Sequence, residues 1–244
     1  MSAMSEEQEQ PRPDARRVPV VGWAASQLDG LLADRYVPLL YTAKGKRPGQ
    51  RYLLHHVLLE DVALLVLAFS WTMDHPVRGA VGLALLHLSF WLVYEVGYHE
   101  NDHLATKRES SPNIPSGSVE YGDRMRPRMA WVAALLVAAP GVALVAGSNH
   151  GSLSLLGSLD PGPGAVAAAF LLWAAYLLAS RGMFWIYNRS TVSSRGLLYV
   201  GLQLFRTLGY VVVLSTNLIG VMALTALALA RWVPYLTYRE VGIH

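Results

Sequence analysis

The chain has 244 residues and a formal net charge of +3, and 53% of its residues are hydrophobic while only 15% are charged. Soluble domains usually carry about 25% charged residues, so this composition indicates a membrane protein. There are no cysteines, which excludes disulfides, thiolate nucleophiles and metal sites ligated by cysteine. The basic residues flank apolar runs, so we expect contact with membrane lipid and no nucleic-acid partner.

The N-terminal part of the chain is too polar to cross a membrane. Residues 1–18 are rich in Glu, Gln, Pro and Arg and lack the apolar core of a signal peptide, so we predict a disordered tail. Residues 19–51 are moderately apolar, and Leu28, Leu31, Leu32 and Tyr36 recur at helical spacing. This segment is predicted to be an amphipathic helix at the membrane interface, and its end is basic.

Six apolar stretches follow, each reaching or approaching the roughly 20 residues needed to cross the hydrocarbon core. They are predicted at 52–73, 77–99, 129–148, 163–187, 196–214 and 218–236. The expected fold is therefore all-α, a polytopic transmembrane helix bundle of about six spanning helices over residues 52–238.

The distribution of Lys and Arg predicts the orientation. Basic residues precede the first span, fill the loop between the second and third, and surround the connection between the fourth and fifth. The loops on the other side contain Arg78 and no further Lys or Arg. By the positive-inside rule, both termini are cytoplasmic. We expect an integral protein of the plasma membrane.

Several ionisable residues fall inside the predicted spans. Glu95, Tyr98, His99 and Asp102 follow i, i+3, i+4 and i+7 spacing, so they form one polar stripe on the second span. Because the first span starts inside and the second ends inside, this stripe lies at a depth similar to that of Glu60.

Charges at this depth are expensive, since an Asp, Lys or Arg at a helix centre costs about 2.5–3.5 kcal/mol on insertion scales. Glu60, Asp61, Glu95 and Arg206 should therefore face the interior of the bundle, where Arg206 could pair with Glu95 or Glu60. Such residues either hold helices together or form a functional site, and we favour the second for the whole group.

The histidines indicate a second possible function for the same end of the bundle. His99 and His103 are four residues apart on one helical face, which is a spacing that can bind a metal ion. With His55 and His56 they would suit a metal-dependent oxidoreductase. The alternative is that these side chains are polar residues at the interface.

A longer motif begins at Glu100, where the sequence reads Glu-Asn-Asp-His-Leu-Ala-Thr-Lys-Arg-Glu-Ser-Ser-Pro-Asn-Ile-Pro-Ser-Gly117. It resembles the first signature of the UbiA superfamily of membrane prenyltransferases, N-D-x-x-D-x-x-x-D followed by a loop with R-P-x-P-S-G. Asn101-Asp102 matches the opening pair, and Pro115-Ser116-Gly117 matches the end of the loop. The position after the second span also matches.

The resemblance implies an enzyme that acts on an isoprenoid diphosphate or a terpenoid at the cytoplasmic face, as a prenyltransferase or a terpene cyclase. Asp102, Glu95 and Glu60 are the implied catalytic residues, and Mg²⁺ would be held by Asp102, Asn101 and Glu109. The substrate would be contacted by Asn101, Lys107, Arg108, Tyr98, Tyr187, Asn188 and Arg206, with Tyr94 and Phe184 also lining the cavity.

The chain departs from the family pattern in three respects. Ala105 stands where the family has its second Asp, and Glu109 stands where it has the third. The family's second Asp-rich motif follows its sixth helix, where this chain has Glu240 as its one acidic residue. The family usually has nine helices. The alternative function is a non-catalytic transporter, a lipid-binding protein or an assembly component, as a homo-oligomer or with a partner membrane subunit.

Overall fold

A computed structural model describes residues 36–47, 51–108, 114–146 and 162–241, and in these ranges the chain is helical with no β-strand. We number the helices α1 (Tyr41–Lys46), α2 (Leu53–Ser70), α3 (Pro76–Arg108), α4 (Gly117–Gly122), α5 (Pro127–Val145), α6 (Pro163–Arg189), α7 (Val192–Leu208) and α8 (Leu218–Val241). The tail predicted at 1–18, and residues 19–35 of the interfacial segment, lie outside the described residues.

Five helices are long and apolar enough to cross a membrane, namely α2, α3, α5, α6 and residues Leu218–Thr237 of α8. They correspond to five of the six predicted spans. The second is longer than predicted, because α3 continues past residue 99 to Arg108. The motif residues Asn101 and Asp102 are consequently part of a continuous helix.

The predicted span at 196–214 is the exception. Helix α7 has 17 residues and ends in a 3₁₀ turn at Gly209–Val212, so it is not among the five. Its buried face carries the polar residues Gln203, Arg206 and Thr207, which lower its hydropathy below that of its neighbours. A polar buried face is tolerated there because other helices cover it.

Helix α3 lies at the centre of the bundle and packs most extensively on α5. Small residues make this close approach possible, since Ala130, Ala134 and Ala138 are fully buried on α5. A Cβ atom on Gly82 of α3 would lie 2.9 Å from the Leu144 Cβ and 3.0 Å from the Gly141 carbonyl oxygen. The interface therefore has no room for a larger side chain at this position.

A layer of short elements covers the end of the bundle where α3 terminates. Residues 36–47, which we call the strap, include the π-helix α1 and lie against α4 and α3. Tyr36 at the start of the strap packs against Val96 of α3 and against Met125. The strap and α4 thus form a cap over the polar end of α3.

Candidate functional site

Asp102 is the most fully hydrogen-bonded carboxylate at the capped end of the bundle. It is 5% exposed. Its Oδ2 accepts hydrogen bonds from the Tyr41 hydroxyl at 2.6 Å and from Ser118 Oγ at 3.4 Å. Its Oδ1 accepts one from Asn101 Nδ2 at 3.3 Å and forms an ion pair with Lys46. Burial of a carboxylate is tolerated here because a cation and several donors compensate it.

The strap supplies two of these donors because α1 is a π-helix. Its hydrogen bonds run from residue i+5 to residue i, as the 3.2 Å contact from the Arg47 amide to the Thr42 carbonyl shows. Tyr41 and Lys46, which are five residues apart, therefore both reach Asp102. Residues five apart do not share a face of an α-helix. α-Helical spacing in the sequence therefore does not predict that Tyr41 and Lys46 contact the same residue.

The Tyr41 phenol is suited to a donor role. Burial, together with the neighbouring Asp102 carboxylate, raises the pKa of the Tyr41 hydroxyl well above its ordinary value. The hydroxyl consequently remains protonated at neutral pH and donates to Asp102. The Lys46 ammonium also lies 5.8 Å from the centre of the Tyr98 ring, a position that suits a cation–π contact.

A cavity of about 220 Å³ opens beside Asp102. His103, Thr106 and Asp123 at its rim are exposed, while Asp102 and Ser118 are buried. It is lined by Tyr41, His99, Asp102, His103, Thr106, Ile114, Ser118, Val119, Gly122 and Asp123. Its lining combines polar side chains, two of them carboxylates, with the apolar Ile114 and Val119.

The two halves of the family-like motif meet at this cavity. Gly117, the last residue of the Pro-Ser-Gly match, lies so close to the strap that a Cβ there would collide with the Lys44 carbonyl oxygen. Ser118 follows it and donates towards both Asp102 and the Gly45 carbonyl oxygen, each at 3.4 Å. The glycine therefore lets α4 approach α1 closely enough for Ser118 to contact Asp102.

Glu95 lies two turns before Asp102 on α3 and also holds the strap. It is fully buried, and its carboxylate accepts the backbone N–H of Thr42 at 2.7 Å and that of Leu39 at 3.1 Å. A carboxylate at this position satisfies amides at the start of α1 that have no partner within the helix. Glu95 thus positions the strap rather than pairing with Arg206.

A second polar cluster lies deeper in the bundle, and it contains the two arginines Arg206 and Arg231. Asp61 is 1% exposed and accepts a hydrogen bond from Arg206 Nε at 2.7 Å. Arg231 of α8 forms ion pairs with both Asp61 and Glu60, the latter at 2.8 Å. The partner of Arg206 is therefore Asp61 and not Glu60 or Glu95. Two acids and two arginines give this cluster a net charge of zero.

His87 completes the deep cluster as a neutral ring. The Trp91 indole can only donate, and its Nε1 lies 2.9 Å from His87 Nε2, so this nitrogen is an acceptor. The proton is then on Nδ1, which lies 2.5 Å from the Tyr210 hydroxyl. The 3.4 Å contact between Nε2 and Asp61 is consequently not an ion pair. No spacing pattern in the sequence predicts this arrangement.

The other predicted site residues are distributed over the capped end. Asn188 donates to Glu100 at 3.3 Å and to the Gly97 carbonyl at 3.4 Å, so it contacts a different face of α3 from that of Asp102. The Tyr187 and Tyr235 hydroxyls lie 2.9 Å apart. Lys107 and Arg108 are exposed at the end of α3, and Glu109 lies outside the described residues. Asp102, Asn101 and Tyr98 therefore surround one site, and Glu60 and Arg206 belong to another.

The Mg²⁺ prediction stays a prediction. Within residues 36–47, 51–108, 114–146 and 162–241, no group of three or more His, Asp or Glu residues is placed to bind a metal ion. Asp102 brings one carboxylate, and the Lys46 ammonium already balances its charge. His99 and His103 stack with ring centres 6.4 Å apart and line the same cavity.

No family model, curated protein or solved structure matches this chain. What the cavity binds must therefore be inferred from the side chains that line it.

Proposed function

We propose that the chain is a membrane-embedded enzyme that acts on a prenyl diphosphate or a terpenoid, as a prenyltransferase or terpene cyclase, with its polar site at the Asp102 cavity. The observation that carries this proposal is the meeting of the two motif segments, since Asp102 lines one cavity with Ser118 and Val119, which directly follow the Pro115-Ser116-Gly117 match. These segments are separated in sequence by residues that the motif does not constrain. Their meeting supports a common role.

Charges of both signs surround the cavity, since Asp102 and Asp123 line it and Lys46 of the strap pairs with Asp102. The strap contains Lys44, Lys46 and Arg47 and no acidic residue. The Lys46 ammonium is the donor that a diphosphate oxygen would use. Mg²⁺, if bound, would supply further charge neutralisation of the leaving diphosphate.

Aromatic rings pack into the bundle core beside the Asp102 end of α3. Tyr98 lies one turn before Asp102, and its ring centre is 5.9 Å from that of Phe184 and 5.0 Å from that of Tyr94. Such rings stabilise an allylic cation through their π faces. Tyr94 and Phe184 are almost fully buried, and the Lys46 ammonium lies over the Tyr98 ring. The reacting carbon would therefore be stabilised near Tyr98 only after Lys46 moves to the diphosphate.

The test is turnover of prenyl diphosphates by the purified protein. Prenyl diphosphates of several chain lengths are incubated with the protein and a membrane-lipid extract, with Mg²⁺ or with a chelator, and released diphosphate and prenyl products are measured. We expect Asp102→Asn to reduce turnover about 100-fold or more without lowering expression. The control is Glu120→Gln, since Glu120 is exposed on the neighbouring α4.

Full activity in Asp102→Asn would overturn the assignment of the site. If the wild-type protein turns over no prenyl substrate but binds a lipid or diphosphate, the alternative of a non-catalytic transporter, lipid-binding or assembly protein is favoured. If turnover requires Mg²⁺, the metal prediction gains support.

A further inference from the structure

We propose that the strap, residues 36–47, is a lid over the Asp102 cavity, and that an anionic head group opens it by taking Lys46 away from Asp102. The closed position of the lid follows from contacts within the chain. The identity of the opening ligand rests on the function proposed above, and the experiment below separates these two parts.

Two carboxylates on one face of α3 hold the strap closed. Glu95 and Asp102 are seven residues apart, which is about two helical turns, so they point in the same direction. Glu95 binds the start of α1 through the amides of Leu39 and Thr42, and Asp102 binds its far side through Tyr41 and Lys46. Both carboxylates are buried within a long helix at the centre of the bundle. The anchors are therefore rigid and the strap is the part that can move.

Residues in strained backbone conformations flank the part of the strap that would open. Leu39 has φ of 62° and Arg51 has φ of 44°, which is the left-handed region that side-chain-bearing residues rarely adopt. The Leu39 amide in that conformation donates to Glu95 at 3.1 Å. The contact with Glu95 thus holds Leu39, at the start of the strap, in a strained conformation.

The strap covers the buried part of the cavity and leaves its rim open. Asp102 and Ser118 are 5% and 7% exposed, and Ser118 Oγ lies 3.4 Å from the Gly45 carbonyl oxygen of the strap. Thr106 and His103 at the rim are exposed. A head group can therefore enter at the rim, and the buried side chains of Asp102 and Ser118, which line the cavity, become more exposed to it when the strap moves.

Lys46 is the contact that an anion would break. It is the cation on Asp102, and it lies in a strap segment with two further cations and no acid. A diphosphate carries more negative charge than one carboxylate, so it competes well for an ammonium group. The Tyr41 and Ser118 hydroxyls would then still compensate the buried Asp102 carboxylate.

The absence of cysteine from the chain allows a direct measurement of opening. A single cysteine introduced by Ser118→Cys lies under the strap, whereas one introduced by Glu120→Cys is exposed on the same helix. We measure their rates of reaction with a water-soluble maleimide, with and without inorganic diphosphate. We expect the cysteine at position 118 to react at least about tenfold more slowly than the cysteine at position 120. Adding Lys46→Gln should accelerate the reaction at position 118 about tenfold, because it removes a charge-assisted hydrogen bond. The control is Lys44→Gln, because the Lys44 ammonium lies over the Tyr121 ring.

Hydrogen exchange of residues 42–47 in the protein without introduced cysteines provides the second measurement, since it does not depend on altering Ser118. We expect Lys46→Gln to speed exchange and Lys44→Gln to leave it nearly unchanged. Equal labelling at positions 118 and 120, or no effect of Lys46→Gln on either measurement, would overturn the lid. If Lys46→Gln opens the strap but inorganic diphosphate does not, the lid stands and the anionic ligand is wrong. The turnover assay, which tests the proposed function separately, is unaffected by that result.

Discussion

At the scale of single residues, two of the charge groups in the bundle have different roles. Asp61, Glu60 and their two arginines are neutral as a set and are held among helices α2, α7 and α8. Asp102 is bound by residues of the capping layer, which lies outside the five long apolar helices. The first group therefore ties helices together, and the second ties the cap to the bundle.

Asp61→Asn tests the structural role of the deep cluster. The substitution leaves the buried Arg206 and Arg231 without their shared carboxylate, so we expect a loss of about 3–5 kcal/mol in the free energy of unfolding. The measurement is unfolding in mixed micelles titrated with SDS.

Glu60→Gln is the matched control. The Glu60 side chain is 34% exposed, and of the two arginines it pairs with Arg231 and not with Arg206. It should cost about 1 kcal/mol or less. Equal losses in the two variants would show that Asp61 is not the centre of the cluster.

The sequence indicated which residues must be buried, but it did not reveal their partners. The high cost of intramembrane charge was enough to place Glu95 and Arg206 in the interior, and both are buried. Their partners depend on the crossing of helices that are distant in sequence. Arg231 reaches Asp61 across 170 residues, and no spacing pattern reports such a contact. The backbone amides that bind Glu95 carry no sequence signal at all.

At the scale of elements, the cap depends on the close contact between α1 and α4. That contact requires a glycine at position 117, since any Cβ would meet the Lys44 carbonyl oxygen, which is a backbone atom that cannot rotate away. The Gly45 Cα lies 3.2 Å from the same Cβ position. The packing of the strap is therefore set by the backbones of two short helices.

Gly117→Ala should displace the strap and weaken the site. We expect slower prenyl turnover and faster hydrogen exchange of residues 42–47, because overpacking typically costs about 1–3 kcal/mol. Gly122→Ala, on the same helix, has its nearest contact at 3.6 Å from a His99 ring atom, so it should leave the hydrogen exchange of residues 42–47 nearly unchanged. If both alanines behave alike, close packing at Gly117 is not what holds the strap.

The long helices could be predicted from the sequence, because an apolar run of about 20 residues can adopt few structures other than a helix in a membrane. Helix α7 could not be predicted with the same accuracy, since its polar face is buried by other helices and lowers its hydropathy. The π-helical form of α1 also has no sequence signature, and it decides which strap residues reach Asp102.

At the scale of the whole molecule, contacts at both ends of α7 describe the path of the chain. Near its start, the Gly196 carbonyl accepts the Trp232 indole N–H at 2.8 Å. Beyond its end, Thr216 donates to the Ala68 carbonyl at 2.6 Å, at the far end of α2. The segment from α7 to Thr216 thus runs from one end of the bundle to the other. The number of crossings and the side on which the termini lie stay predictions, together with the cytoplasmic orientation.

The most direct test of the central claim is photoaffinity labelling with a prenyl diphosphate that carries a photoreactive group near its diphosphate, followed by mapping of the modified peptides. A ligand in the Asp102 cavity should label Ile114 or Val119, which line it, and unlabelled prenyl diphosphate should suppress this labelling. We expect Lys46→Gln to weaken it strongly, since Lys46 is the cation proposed to bind the diphosphate, and Glu120→Gln to leave it intact. Labelling confined to other helices, or unchanged in Lys46→Gln, would contradict the assignment of this cavity as the substrate site.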